Sequence, residues 1–238
     1  FFNLLKEGID VPVKKGGEIS SEKVFLIDFE NPKRNEFLVV NQFTIIENED
    51  RRPDLVIFVN GIPLVVVELK SVSDENVGIE EAYNQIQTYK NDIESLFKYN
   101  AFCIISDGVN SRCGTITSNY ERFMKWRSVD GEEIAPLYEP QYEVMFKGML
   151  HKERLIDILK NFILYEKSKK EEFDENGVKI GEHESITKIL AAYHQYFAVN
   201  KAIEKTLIAS SEKGDRKAGV VWHTQGSGKS FSMLFYTG

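Results

Sequence analysis

The sequence predicts an α/β protein: a mixed β-sheet flanked by helices, then the first part of a second α/β unit. Three observations predict it. Apolar runs between residues 24 and 106 follow the order strand, hairpin, helix, strand, which suits a mixed sheet with helices on its faces. A charged stretch, "EKSKKEEFDENGVKIGEHE" (166–184), holds few large apolar residues and reads as a linker. Beyond it, "VVWHTQGSGKSFSM" (220–233) reads as strand, glycine-rich loop and helix. The expected division is therefore 1–165, a linker at 166–183, and 184–238.

The elements follow in order. "VFLIDFENPKRNEFLVVNQFTII" (24–46) gives two strand-like runs about an "NPKRN" turn. "RRPDLVIFVNGIPLVVVELKS" (51–71) gives two apolar strands about Asn60-Gly61. "GIEEAYNQIQTYKNDIESLF" (78–97) places Ile79, Ala82, Tyr83, Ile86, Tyr89 and Ile93 at helical spacing. "AFCIISDG" (101–108) is a short apolar strand closed by Asp-Gly. In "SNYERFMKWRSVD" (118–130), Arg122, Lys125 and Arg127 interleave with Tyr120, Phe123 and Trp126. With Arg112 they could grip a nucleic-acid backbone, or the segment is a helix with one solvated face. Helices are expected at 149–166 and 184–211.

Composition bounds the function. Hydrophobic residues make up 42% and charged residues 28% of 238, an ordinary globular balance able to bury a sizeable core. The formal net charge of −7 excludes a general polycation, so nucleic-acid contact would need local basic patches or bound cations. No apolar run approaches the roughly 18 residues of a membrane span. "FFNLLKEGID" meets Lys6 and Glu7 too soon for a signal peptide. Cys103 and Cys113 make neither a disulfide framework nor a zinc pattern, so inert thiols in a reducing cytoplasm are expected. The chain opens without Met and closes at "FYTG", eight residues past a phosphate-loop signature, which reads as a fragment.

The hairpin raises a chemical question, because charges sit at its open end. A two-residue turn on Asn60-Gly61 pairs Asp54 with Val67 and puts Glu68 on the opposite face. A longer loop or one bulge around Asn60, Gly61 and Ile62 pairs Asp54 with Glu68, and Lys70 joins that face. Two carboxylates brought together are stable mainly around a cation. An oxygen-only site of this kind suits Mg²⁺ or Mn²⁺, which can activate water and stabilise charge on phosphate. Lys70 could position that water or meet the developing oxyanion. Ordinary solvated strand ends explain the same charges. Gln85 and Tyr89 lie four apart on one helix surface, where Tyr89 is equally a core residue.

Together Pro53-Asp54, Glu68-Leu69-Lys70 and Gln85-x-x-x-Tyr89 resemble the PD-(D/E)xK nuclease core with its QxxxY motif. The wider text, including "FLVVNQFTIIE", "IISDG", "RFMKW" and "YHQYFAVNKAIEK", is similar to the motor and nuclease (R) subunit of type I restriction enzymes over nearly the whole chain. The resemblance implies a restriction-endonuclease-like core. In it Asp54 and Glu68 are metal ligands, the Leu69 carbonyl a third, Lys70 the catalytic lysine, and Gln85 and Tyr89 supports of the site. It implies a further acidic residue upstream, for which Glu7 is a candidate and a residue before Phe1 the alternative. It implies double-stranded DNA as substrate, with methyltransferase and specificity subunits as partners.

The second motif is the glycine-rich loop. Val220-Val221-Trp222 reads as a strand leading into Thr224-Gln225-Gly226-Ser227-Gly228-Lys229-Ser230 and a helix. Glycines let backbone N–H groups approach phosphate, and a helix N-terminus adds partial positive charge. Lys229 would reach the β and γ phosphates of ATP, and the Ser230 hydroxyl would ligate Mg²⁺. His223 stands where the first glycine of the motif is usual. Gln195 resembles the glutamine with which superfamily 2 helicases read adenine, and is equally a solvated helix residue. The resemblance thus implies a RecA-like domain beginning at 184, with the remaining ATPase motifs beyond Gly238.

The reading is a Mg²⁺-dependent DNA endonuclease domain joined to the start of an ATP-driven translocase. Its rivals are a nuclease fold that grips DNA without cutting it, and a solitary ATPase or kinase with a structural first domain.

Overall fold

The computed structural model describes residues 1–71, 78–173 and 179–238. The chain starts with a short helix α1 (Phe2–Glu7) and a two-stranded ribbon, β1 (Ile9–Lys15) and β2 (Glu18–Val24). Then come β3 (Phe37–Asn41) and a small ribbon of β4 (Ile45–Ile46) and β5 (Asp50–Arg51). The hairpin follows as β6 (Leu55–Val59) and β7 (Ile62–Leu69). Helices α2 (Ile79–Asp92) and α3 (Glu94–Phe97) lead to β8 (Phe102–Ser106) and β9 (Ser111–Gly114). Next are α4 (Gln141–Gly148), α5 (Lys152–Asn161), a long ribbon of β10 (Ile163–Phe173) and β11 (Lys179–Leu190), α6 (Tyr193–Ser210) and α7 (Lys229–Thr237).

The centre is a five-stranded mixed sheet of order β3-β6-β7-β8-β9. Only β7 and β8 run parallel, and the helical crossover α2–α3 joins them, as a parallel pair requires. Every residue of β8 is buried, and Leu64 to Glu68 of β7 are buried too, so both sheet faces are covered. One face packs Val56, Val66, Cys103 and Ile105 under α2 through Ile79, Ala82, Ile86 and Tyr89. The other packs Ile57, Val65, Val67 and Ile104 against α1, α4, α5 and α6.

The expected hairpin, its helix and the following strand are all present. The helix breaks at Ile93 (φ −134°, ψ 57°), so the single helix expected over 78–97 is α2 plus α3. Four expectations are corrected. Of the two strands expected in 24–46, only the second forms as β3. The first passes irregularly, burying Ile27 in the core, and a 3₁₀ turn occupies Pro32–Arg34. Residues 118–130 hold no α-helix. Phe123 and Trp126 are buried core residues, so they are not stacking platforms. The helices expected at 149–166 and 184–211 are shorter, because Ile163–Phe173 and Lys179–Leu190 pair as β10 and β11. The charged stretch 166–183 therefore runs as a ribbon wherever it is described, with 174–178 outside the described residues. Opposite charges pair across the strands, as in Lys169 with Glu182 at 3.0 Å and Lys179 with Glu171 at 2.6 Å. Lastly, Val220 to Trp222 form no strand. Val220 is 90% and Trp222 89% exposed, for a strand needs an edge to pair with. No described helix is long and apolar enough to cross a membrane.

Candidate functional site

The open end of the hairpin gathers the charged residues, and a bulge is the cause. Asn60 and Gly61 form a two-residue turn with φ of 49° and 78°, the left-handed pair a tight hairpin needs. Val59 pairs with Ile62 and Phe58 with Pro63, but Ile57 pairs with Val65. Leu64 is the extra residue. Leu64 and its neighbour Val65 accordingly enter the same core layer, which alternation along a regular strand forbids. From there Val56 faces Val66 on the α2 side. Leu55 then pairs with Val67 on the other side, and the same register carried one residue further sets Asp54 opposite Glu68, back on the α2 side. The bulge expected near the turn exists, displaced to Leu64.

Each carboxylate is held differently. Asp54 is half-buried. Its Oδ2 accepts the Leu69 backbone N–H at 2.8 Å, and its Oδ1 accepts Nε2 of Gln42 at 2.8 Å. Glu68 is buried, with 3% exposure. Its Oε1 accepts Lys70 Nζ at 3.0 Å. Its Oε2 is buried with no hydrogen-bond partner. Burial pushes the Glu68 carboxyl above the usual carboxylate range; Lys70 and, least of all, the nearby Tyr89 hydroxyl oppose the rise, and the charge of Asp54 adds to it. Tyr89 stands beside Glu68, its phenol pushed up by burial and by that carboxylate. Its hydroxyl donates to the Arg52 carbonyl at 3.5 Å. Gln85 is half-buried one turn earlier on α2 and interacts with Tyr89. Asp54, Glu68, Lys70, Gln85 and Tyr89 are thus brought together.

A buried carboxylate oxygen without a partner costs free energy unless something positive meets it. Asp54 keeps lone pairs beyond its two accepted hydrogen bonds. This donor set, oxygen-only and anionic, fits a hard divalent cation. No group of three or more His, Cys, Asp and Glu side chains converges among the described residues, so further ligands there would be backbone carbonyls or water.

Other candidates fall elsewhere. Glu7 is exposed at the end of α1, whose buried Phe2 and Leu5 belong to the core layer on the far face from Tyr89. Arg51, three residues before Asp54, is committed to Asp92 at 2.6 Å. Arg52 next to it is exposed. Arg112 lies over the Tyr120 ring at 5.1 Å. Cys103 and Cys113 are buried and their thiols pushed up to about 12 by burial, which leaves them unreactive. Sequence reasoning missed Gln42; nothing in "NQF" announces that its side chain crosses to Asp54.

The glycine-rich loop forms a second constellation. Gly226 and Gly228 take φ of 80° and 75°, and α7 starts at Lys229. Thr224, Gly226, Lys229 and Ser230 are exposed, whereas Ser227 and Gly228 are half-buried. Lys229 Nζ donates to the carbonyls of His223 (3.2 Å) and Thr224 (2.9 Å), folding the loop over its own ammonium. Gln195 is buried. Its Oε1 accepts the Ala192 N–H at 2.8 Å, and its Nε2 donates to the carbonyls of Gly228 (2.9 Å) and Ser227 (3.3 Å). Gln195 therefore caps α6 and holds the loop at once. A cleft of about 840 Å³ beside it is lined by Lys205, Trp222, Lys229, Met233 and Tyr236.

Residues 1–122 match the family described as Type I restriction enzyme R protein N terminus. Residues 194–238 match the SWI2/SNF2 ATPase family. The chain is 43% identical over 242 residues to the type I restriction enzyme HindI endonuclease subunit of Haemophilus influenzae, covering 100% of this chain and 22% of that protein. It is 27% identical over 230 residues to the type I restriction enzyme SauMSSORF170P endonuclease subunit of Staphylococcus aureus, covering 94% and 21%. The chain spans about a fifth of the length of these curated relatives.

Proposed function

Because the chain belongs to the family of the type I restriction enzyme R protein N terminus, we propose that it carries the DNA endonuclease centre of an R subunit and the start of its ATP-driven motor. On this reading the nuclease unit, a PD-(D/E)xK core, occupies 1–165. A RecA-like translocase domain begins at 184, and the charged linker 166–183, whose described residues lie within β10 and β11, joins the two. The protein works in the cytoplasm with methyltransferase and specificity subunits. It cuts double-stranded DNA at non-specific positions when translocation stalls.

The observation that carries the reading is the partnerless Oε2 of buried Glu68, placed by the Leu64 bulge on the same face as Asp54 and Lys70. Asp54, Glu68 and the Leu69 carbonyl would hold Mg²⁺ or Mn²⁺. That ion, when bound, supplies a water nucleophile at neutral pH and neutralises charge on the phosphate. The chain's own residues do the rest. Lys70, now paired with Glu68, presents an ammonium to the charge developing on the phosphoryl oxygens. The Leu69 N–H and Gln42 fix the Asp54 carboxylate. Tyr89 and Gln85 close the buried side of Glu68, and exposed Arg52 meets the DNA backbone.

In the motor part, Thr224, Gly226, Ser227, Gly228, Lys229 and Ser230 would cradle the phosphates of ATP with its Mg²⁺. Gln195 would link the adenine side to the loop it already holds. The likeness of 194–238 to SWI2/SNF2 ATPases favours a translocase over a solitary kinase.

The test is nicking of plasmid DNA by the assembled enzyme. Asp54→Ala and Lys70→Ala are expected to lower cleavage by about 10³-fold or more while ATP hydrolysis and translocation continue. Undiminished cleavage by either variant removes the nuclease assignment and leaves the binding-module rival.

A further inference from the structure

We infer that Gln42 is a positioning residue of the divalent-cation site, fixing the Asp54 carboxylate for the ion; the inference rests on the nuclease reading above. Gln42 follows β3 and adopts φ 51°, the left-handed region, where it is one of three non-glycine residues of the described chain. Glycine or asparagine takes that conformation at lower cost, so a glutamine there calls for a compensating role.

The compensation is visible in what Gln42 touches. Its backbone N–H donates to the Asp54 carbonyl at 3.0 Å, and its side-chain Nε2 donates to Asp54 Oδ1 at 2.8 Å. The main-chain bond holds the turn against the first residue of the hairpin, and a glycine would make it equally well. The side-chain bond is the part a glycine lacks. With Oδ1 held by Gln42 and Oδ2 by the Leu69 N–H, the Asp54 carboxylate cannot rotate about its terminal torsion. Its remaining lone pairs stay directed along one plane beside Glu68. Gln42 itself is exposed, so the hydrogen bond adds little to the fold. Its value lies in presenting a ligand oxygen already oriented, the role outer partners of metal ligands commonly fill.

Mn²⁺ binding measured by electron paramagnetic resonance on the full-length protein without nucleotide, together with calorimetric unfolding, tests this. In Gln42→Gly the Mn²⁺ dissociation constant is expected to rise about tenfold or more, with the unfolding temperature of the metal-free protein unchanged within about 2 °C or raised. A residue serving only the turn gives the opposite pattern: unchanged affinity and equal or higher stability. That result, or a parallel fall of affinity and unfolding temperature, overturns the inference. Asp54→Ala is the control that separates the two readings. If Mn²⁺ binding survives Asp54→Ala, the metal centre itself is misplaced. If binding is lost in Asp54→Ala and kept in Gln42→Gly, only the role of Gln42 fails.

Discussion

The two constellations of this chain are built in opposite ways. At the hairpin mouth, residues from positions 42, 54, 68, 70, 85 and 89 come together on a sheet covered on both faces, and Glu68 is almost wholly buried. At the glycine-rich loop, residues 223–230 are contiguous and mostly exposed, and Gln195 reaches in from α6 to hold the Ser227 and Gly228 carbonyls. The first site depends on long-range pairing and tolerates no register error. The second is written into consecutive residues, yet the strand leading into it stays unpaired. Burial thus makes the first site electrostatically tense, as the raised Glu68 carboxyl shows, while most of the second stays open to solvent.

This contrast yields predictions. Lys229→Ala should cost the intact enzyme about 10²–10³-fold in ATP hydrolysis. Its unfolding temperature should stay unchanged, since Lys229 is exposed and bonds only to loop carbonyls. Calorimetry beside a hydrolysis assay checks this, and a large fall in unfolding temperature would mean the loop is a structural keystone.

Core truncation should be sharply unequal between the regions. Ile86→Ala, at a fully buried position under the hairpin, should cost about 3 kcal/mol in urea unfolding. Trp222→Ala, at an 89% exposed position, should stay within about 0.5 kcal/mol. Similar costs for both would show that 220–222 are packed in solution.

A pH experiment probes the β10–β11 ribbon. Lys188, on β11, is buried with its ammonium over the Phe2 and Tyr165 rings, and it donates to the Asn100 carbonyl. Burial lowers it from 10.5 to about 8, with Cys103 opposing. The unfolded chain therefore binds more protons between about 8 and 10.5, and stability should rise with pH across that window. Below pH 8 the burial cost stands in full, up to about 3 kcal/mol before its hydrogen bond and ring contacts offset it. Lys188→Met should flatten the slope between pH 8 and 10.5 relative to the parent, read from urea midpoints.

The smallest effect concerns Glu68. Its raised carboxyl means the folded state is penalised once pH passes the ordinary carboxylate value, and the penalty vanishes on acidification. Glu68→Gln should therefore raise the urea midpoint of the metal-free protein slightly at pH 7. Added Mg²⁺ should stabilise the parent and leave the variant unmoved. A variant still stabilised by Mg²⁺ would place the cation elsewhere.

Much of this was legible before the fold was known. Apolar runs on either side of the Asn60-Gly61 turn marked β6 and β7, helical spacing marked α2, and the short apolar run marked β8. Asp54, Glu68, Lys70, Gln85 and Tyr89, grouped in the sequence by their resemblance to a nuclease motif, lie near one another at the open end of the hairpin. The β10–β11 ribbon escaped because its charges read as solvation, whereas they pair across strands. Phe123 and Trp126 escaped because their basic neighbours mimic a nucleic-acid surface.

By itself the sequence determined the elements with short-range causes: turn glycines, periodic apolar stripes, and a loop whose residues are contiguous. Only the tertiary structure decided that Leu64 is the bulged residue, that Gln42 reaches Asp54, and that Arg51 turns to Asp92. The reason is that strand register, and with it the face of every charged side chain beyond the bulge, is chosen by which of two adjacent apolar residues the core accommodates. That is a property of packing between distant segments and of no local string.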